Sequence, residues 1–496
     1  MSNALRSKAS ALLSGKRFHL LIGGKLEDPS DGAVMPSIDP ALGIEQASIP
    51  DAAPADVERA VATAREAQPG WGKTPLKERQ DLVLRIAAEI RARSEELAFL
   101  DSLDTGNVLA GMRQDSINAA EQMEYLAAAA WELKGESTQY GPGLHYTRRE
   151  PFGVVARLLP FNHPHYSVGV ALAAPLLMGN TVILKPSPHS AMSALAMGEW
   201  LAGMVPPGTI SILSGGNARV SEPLIRHAGV DRLAIIGSTE TGKLVARLAA
   251  DRLAPVIMEL GGKNPLIIFE DARVDEAVEI AVQGMNFRWQ AHSCASTSRV
   301  LVHEALRAAF VEKLAERLSR IRVADPFAEG ADMGAVSYKA LLERCLGYVK
   351  AGREAGARLV TGGERITEPT MANGFYMRPA LFDAVKPGMS IAREEIFGPV
   401  LSVLGWKTRE EMLSIANGLD LGLTAVVLTD DLETALRTAE DLRVGYVEVN
   451  GPVSYALGSP IGGMKQSGHG REGSVEELAA YTQLKSVNVR FRRSLA

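Results

Sequence analysis

Apolar and polar positions along the chain follow two rhythms, which change over near residue 153. In the first part, "HLLIGGKLED" (residues 19–28) holds two short apolar runs that meet at Gly23-Gly24, the pattern of a hairpin. Apolar residues three and four apart in "PADVERAVATAREAQPGW" predict an amphipathic helix, with Asp56 placed to cap its start. The stretch "LKERQDLVLRIAAEIRARSEELAFLDSLDTGN" continues as a long helical pattern. Beyond residue 153 the runs "GVVARLLP", "NTVILKPS", "TISILSG", "RLAIIGS" and "APVIMEL" alternate with helical stretches such as "HSAMSALAMGEWLAGM" and "TETGKLVARLAADR". That alternation predicts a parallel sheet with helices on both faces. Such sheets place ligands at the carboxyl ends of their strands. A second strand–helix series follows in "SRVLVHEALRAAFVEKLAERLSRIR" and "TAVVLTDDLETALRTAEDL". Between the helical and alternating regions, "GESTQYGPGLHYTRREPFGV" (residues 135–154) is polar and turn-rich and reads as a hairpin arm leaving the body. Neither an internal repeat nor a low-complexity tract is visible.

Composition narrows the class. At 496 residues the chain exceeds what one core usually serves, so two or three domains are expected. Its 46% hydrophobic and 22% charged content is that of an ordinary soluble protein. A net charge of −5 argues against nucleic acid as a partner, since phosphate binding needs an excess of Lys and Arg. The terminal "RFRR" reads as a short solvated tail. Two cysteines, Cys294 and Cys345, cannot build a disulfide framework or a zinc site, which fits a reducing compartment. The N-terminal segment is faintly like a transit peptide, and a helix leading into the hairpin explains it as well. A cytoplasmic protein without membrane spans is the expectation.

Several strand ends carry residue types that chemistry needs. "GSTETG" (residues 237–242) follows a strand and opens a helix, where free N–H groups and the helix dipole suit a pyrophosphate; many βα turns of this form bind nothing. "MELGGKNP" ends an apolar strand on Glu259, a carboxylate that burial would push towards the range of a general base, or that caps the next element. "LLPFNHP" places Asn162 where its amide can donate to an oxyanion, though turn asparagines are common. Lys185 in "NTVILKPSP" either reaches a ribose or is an exposed terminal charge. Cys294, in "RWQAHSCASTSR", is a packing residue or a nucleophile. Together these are the parts needed for thiol attack on a carbonyl and hydride transfer to a nicotinamide.

With these residues in view the chain resembles the aldehyde dehydrogenase superfamily. "PFNHP", "KPSP", "GSTETG", "MELGGKNP", "SCASTSR", "EEIFGPV" and "SPIGGMKQSGHGREG" occur in the family's order, over nearly the whole chain. The resemblance implies an α/β fold: a Rossmann-like cofactor domain (residues 1–130 and 151–259), an α/β catalytic domain (260–460) and a small β oligomerisation element (131–150 and 478–496). It implies that Cys294 is the catalytic thiol, Glu259 the base for the deacylating water and Asn162 the side-chain half of the oxyanion hole, with the Cys294 N–H as the other half. For the cofactor it implies Phe161, Lys185, Gly237, Ser238, Gly242, Leu260, Glu395 and Phe397, and no metal. NAD is the expected cofactor, with NADP possible. A small-molecule aldehyde is the expected substrate, and a homodimer or homotetramer the expected assembly. The presence of Glu259 favours hydrolysis of the thioester over its transfer to CoA.

Departures from the family pattern locate what is particular to this chain. Ala291-His292 replace the usual Gly-Gln before the thiol, so His292 either tunes it or fills space. Pro188 stands where an acidic residue often binds the adenosine ribose, leaving NAD against NADP open. The aldehyde tunnel is expected to include Ser167, Val170, Arg288, Trp289, Tyr455 and Ile461, less aromatic than many. Arg288 hints at a carboxylate-bearing aldehyde, and an exposed helical arginine is the plainer reading. Two other classes remain: a silent binding relative of the same fold, and a thiol hydrolase of activated esters.

Overall fold

The computed structural model describes residues 2–140 and 143–491. Residues 492–496, part of the "RFRR" tail and of the expected oligomerisation element, lie outside them.

The alternating region forms the expected parallel sheet. Strands Ile210–Ile212, Thr181–Lys185, Val154–Leu158, Arg232–Gly237 and Val256–Leu260 lie side by side in that order. The hairpin Leu20–Ile22/Lys25–Glu27 extends one edge and the short strand Gly468–His469 the other, both antiparallel. Successive residues alternate between two cores. Val155, Val182, Leu184, Ala234 and Ile257 pack under the helices of the first 130 residues and Pro164–Leu177. Val154, Ala156, Ile183, Leu233 and Met258 pack on the other face against Val57, Ala60, Val61 and Val245. This is why the strands read as unbroken apolar runs rather than alternating ones.

A second sheet has strand order Arg358–Thr361, Ala380–Asp383, Val400–Trp406, Arg299–His303, Pro265–Ile268, Thr424–Leu428 and Tyr446–Val449, parallel except at its first edge. Here too neighbours part: Ile267, Leu301 and Val427 enter one core, Leu266, Ile268, Val300 and Val302 the other. The chain crosses from the first sheet to the second in only four residues, Gly261 to Asn264. A third sheet joins the arm strands Ser137–Tyr140 and Gly143–Pro151 to Thr482–Arg490, so the arm and the chain's end form one antiparallel unit.

The long helical pattern divides where the sequence shows no breaker. Helix Leu76–Ala92 ends at Arg93, which departs from helical geometry and starts Ser94–Thr105. Asp56 does cap the helix Pro54–Trp71, accepting from the backbone N–H of Ala53 (2.8 Å) and of Ser30 (3.1 Å). No helix among the described residues is long and apolar enough to cross a membrane.

Buried Asn180 ties three elements. Its Oδ1 accepts from Gly153 N (3.0 Å), and its Nδ2 donates to Pro175 O (3.2 Å) and to Tyr481 O (2.9 Å) next to the C-terminal strand. Replacing Asn180 with Ala strands these groups in an interior without water, and about 3 kcal/mol of stability is expected to be lost. Urea unfolding of the variant, followed by far-UV dichroism, measures this.

Candidate active site

Register places the strand ends together. Leu158 pairs with Lys185, Ile235 with Leu158 and Gly237 with Leu260, so residues 159–162, Lys185, Ser238 and Glu259 emerge at one end of the first sheet. The segment carrying Cys294 approaches this end from the second sheet, just before its strand Arg299–His303. Cys294 sits at the corner of a turn closed by Ser296 N on Ser293 O (3.0 Å). Asn264, in the crossing between the sheets, holds that turn. Its Nδ2 donates to Cys294 O (2.6 Å) and Ser296 O (3.1 Å), and its Oδ1 accepts from Thr424 N (3.1 Å).

Asn162 is buried and its Nδ2 donates to His292 O (2.8 Å), two residues before the thiol. The amide nitrogen has a second hydrogen free for another acceptor. The path into the thiol is strained: Asn286, Gln290 and Ala291 all have positive φ (56°, 50° and 59°). Ala291 therefore occupies a left-handed position that glycine adopts freely, at a cost of about 1–2 kcal/mol.

Glu259 is buried, and its Oε1 has no hydrogen-bond partner. Burial, with Glu472 behind it, holds its carboxyl well above the usual range; Arg471 opposes. The glycine-rich tail explains how the chain wraps this group. Gly468 (φ +111°) pairs with Glu259, and a Cβ there would lie 2.0 Å from Met258 O. A Cβ on Gly462 would lie 2.8 Å from Glu259 Oε1. Burial also pushes the half-buried Cys294 thiol up to about 12, with Glu395 and Glu259 adding to it and the N–H groups of Cys294 and Ala295 opposing. The thiol, carboxylate and amide thus share one site.

His292 fills space. Its ring is fully buried, stacks on Phe397 (centroids 5.8 Å apart) and meets Phe161 edge-on (5.5 Å), and its Nδ1 pairs with Ser337 Oγ (3.1 Å). Burial lowers its pKa to about 3, so it carries no charge to tune the thiol.

Residues suited to a dinucleotide surround this centre. Ser238 caps helix Thr239–Ala250 by accepting from Thr241 N (3.2 Å), leaving an exposed helix start beside the sheet's end. Gly242 leaves room for Leu260, since a Cβ there would lie 2.5 Å from that side chain and force it to shift. Lys185 is buried and its ammonium is lowered to about 8 by desolvation, with Asp51 opposing. Glu395 accepts from Gly262 N (3.1 Å) and is raised by burial to about 7; a Cβ on Gly261 would overlap its Oε2 at 2.0 Å. Phe397, at φ +59°, packs against Phe161 (5.6 Å). An exposed helix start for phosphate, a buried cation and a half-buried carboxylate for hydroxyls, and an aromatic pair fit such a cofactor.

Sequence reasoning missed Asn264, although it lies inside "MELGGKNP", and it missed Tyr166, Asp115 and Glu472. Burial raises the Tyr166 hydroxyl, with Asp115, Glu472, Glu477 and Cys294 adding. Tyr455 likewise feels Cys294, Glu259, Tyr166 and Tyr446. His163 and Trp289 pack at a tilt (5.1 Å), and Tyr446 meets Tyr455 edge-on (5.3 Å). The surroundings are more aromatic than the expected tunnel residues alone. Arg288 is exposed, and its guanidinium forms no ion pair among the described residues.

Comparison with known proteins adds the following. The aldehyde dehydrogenase family model matches residues 27–487. The chain is 40% identical over 482 residues to aldehyde dehydrogenase tropH of Talaromyces stipitatus, covering 95% of this chain and 93% of that protein. A betaine aldehyde dehydrogenase of Staphylococcus aureus in complex with NAD+ superposes with TM-score 0.96 at 29% identity, covering 99% of this chain and 98% of that one. An NAD+ complex of aldehyde dehydrogenase from Bacillus cereus gives TM-score 0.94 at 32% identity, over 98% and 99%.

Two outcomes follow from the geometry. With its thiol pushed up to about 12, Cys294 of the free protein is protonated at neutral pH, so its alkylation by iodoacetamide should be slow and still rising above pH 9. Peptide mapping against pH checks this. Asn264→Ala frees the Cys294 turn and should cost about 3 kcal/mol in urea unfolding, with labelling at Cys294 losing its protection.

Proposed function

This chain belongs to the aldehyde dehydrogenase family, and from that premise we propose that it oxidises an aldehyde to the carboxylic acid through a Cys294 thioester, with NAD+ as hydride acceptor. The observation that carries the reading is the meeting of three groups from separate segments, the Cys294 thiol, the unpartnered buried carboxylate of Glu259 and the Asn162 amide.

Cys294 loses its proton to solvent water and its sulfur bonds the aldehyde carbon, which moves the carbonyl electrons onto oxygen. The free N–H of Asn162 and the backbone N–H of Cys294 stabilise that charge. A bound nicotinamide supplies the acceptor for the hydride that leaves this carbon. The Cys294 thioester that results is then hydrolysed. Glu259 takes a proton from water, the hydroxide adds, and the C–S bond breaks to return the thiolate and release the acid. A base whose pKa is raised well above the usual range is matched to this task near neutral pH. Ser238 and the helix start hold the pyrophosphate, Lys185 and Glu395 the riboses, and Phe161, Gly237, Gly242, Leu260 and Phe397 shape the cofactor's bed.

We assign residues 1–130 and 151–259 to the cofactor domain, 260–460 to the catalytic domain, and 131–150 with 478–496 to an oligomerisation element of a cytoplasmic homodimer or homotetramer. What supports the last is apolar exposure on the third sheet: Leu144, Leu484, Val489 and the adjoining Phe491 all face solvent in the single chain. For the substrate we propose an uncharged, flat aldehyde, supported by the rings of Tyr166 and Tyr455, whose hydroxyls feel Cys294, by the His163 ring packed on Tyr166 and by the outward placement of Arg288.

The test is reduced-nicotinamide absorbance on a panel of aldehydes with NAD+ and NADP+ in parallel. Turnover with NAD+, abolished in Cys294→Ser, is expected; a silent panel or an active Cys294→Ser protein overturns the reading. Within the panel, benzaldehyde should exceed hexanal in kcat/KM by roughly 3- to 10-fold, the worth of one aromatic pair. Arg288→Gln should leave both within about 2-fold, as an exposed residue away from the chemistry does. The pH dependence of kcat has a defined sign. Because the Glu259 pKa is raised, its base form is lost on acidification well before pH 4.5, and the acid limb should lie correspondingly high.

A further inference from the structure

A dense set of buried polar contacts lies beneath the site, where helices Ser94–Thr105 and Leu109–Ala129 pack under residues 162–166. Asp115, on the second of these helices, is buried, and one oxygen of its carboxylate serves two partners. Its Oδ2 accepts from His163 Nδ1 (2.8 Å) and from Trp289 Nε1 (3.2 Å). His163 directly follows Asn162 in the chain, and Trp289 lies on the segment that leads to Cys294. The two rings are 5.1 Å apart. The short connection between the two helices touches both segments a second time. Asn107 Nδ2 donates to Asn162 O (2.8 Å), and Val108 N donates to Arg288 O (2.9 Å). Deeper in, Asp101 Oδ2 accepts from both the backbone N (3.1 Å) and the ring Nδ1 (2.6 Å) of His165, whose Nε2 meets Ser116 Oγ (2.9 Å). Gly111 gives the helix room to approach, since a Cβ there would already lie 3.3 Å from Arg288 Cβ and 3.4 Å from the Trp289 ring.

We propose that Asp115 is a positioning residue that sets the separation of the oxyanion donor and the thiol, by accepting one hydrogen bond from each of the two segments that carry them. The proposal rests on the roles given above to Asn162 and Cys294. A tryptophan N–H can only donate, and Nδ1 of His163 donates when it carries the ring's proton. A single acceptor shared by two donors therefore fixes both rings relative to one helix. Asp115 binds neither the aldehyde nor the cofactor; it acts through His163 and Trp289. Misplacing reacting groups by about 1 Å costs up to roughly 100-fold in rate. The acceptor oxygen, rather than the charge, is what the geometry uses.

The experiment compares Asp115→Ala, Asp115→Asn, Trp289→Phe and the Asp115→Ala/Trp289→Phe double variant in full-length protein, with steady-state kinetics on benzaldehyde and NAD+ and a thermal midpoint for each. Asp115→Ala should lose roughly 10- to 100-fold in kcat, with KM changed far less. Asp115→Asn keeps an oxygen in place and should stay within about 3-fold of the parent, while Trp289→Phe keeps the ring and loses only its donor, so its loss should be intermediate. The double variant should be no worse than Asp115→Ala, because the two act through one contact. The proposal is overturned if Asp115→Ala matches the parent, or if Asp115→Asn is as impaired as Asp115→Ala. Should Asp115→Ala fail to fold, an unchanged kcat in Trp289→Phe overturns it alone. Cys294→Ser separates the two levels. If that protein is inactive while the Asp115 series is unaffected, the thiol assignment stands and only the positioning role falls.

Discussion

The amide of Asn264 is the constraint on which the rest of this site depends. Two sheets that share no strands are joined by four residues, and that crossing ends on a buried side chain that uses its acceptor and donors on three backbone groups. Through it the Cys294 turn is fixed to the second sheet at the place where the first sheet ends. Glu259 and Asn162 belong to that first sheet and its loops. Without the Asn264 contacts the turn itself would lose its tie to the second sheet, and the thiol would be held only through the segment before it, which has three left-handed residues. An amide suits this role better than a charge, because it satisfies carbonyl and N–H groups together and carries no ionic desolvation cost.

Around that joint, burial does most of the electrostatic work. The carboxyl of Glu259 and the thiol of Cys294 are each pushed towards their neutral forms by burial, with Glu472 adding to the first and Glu395 and Glu259 to the second. The glycine-rich tail makes this environment possible. Only residues without a Cβ can pass so close to Met258 and Glu259, and that close passage removes water from the carboxylate. Lys185 and Glu395 show the same logic with opposite signs, a cation lowered and an acid raised by desolvation. Lys185, at about 8, and Glu395, at about 7, are thereby held close to a change of protonation at neutral pH.

Much of the fold was legible because parallel strands buried on both faces leave unbroken apolar runs, and the helices between them leave a clear second period. The capping of Asp56 and the hairpin at Gly23-Gly24 were equally local. Cys294, Glu259 and Asn162 were each ambiguous in isolation and gained meaning only as an ordered set. The split at Arg93 was not legible, since neither proline nor glycine marks it. Asp115, Asp101 and Asn264 were hidden for a different reason. Asp115 meets a residue 174 positions away, Asp101 one 64 positions away, and Asn264 reaches 160 positions to Thr424. Contacts of that range leave no periodic trace in a single sequence. The place of Ala291 is the converse case: a departure visible in sequence, whose physical cost appears only in its backbone angle.

The central claim is that aldehyde carbon passes through a covalent bond to Cys294 and leaves only when Glu259 activates water. Intact-mass and peptide mass spectrometry of Glu259→Gln, mixed with benzaldehyde and NAD+ and quenched in acid, tests it directly. The account predicts one acyl group per chain, on the peptide containing Cys294, formed together with a single equivalent of reduced nicotinamide. Steady turnover at the parent rate without an adduct, or acylation at Cys345 instead, would contradict it.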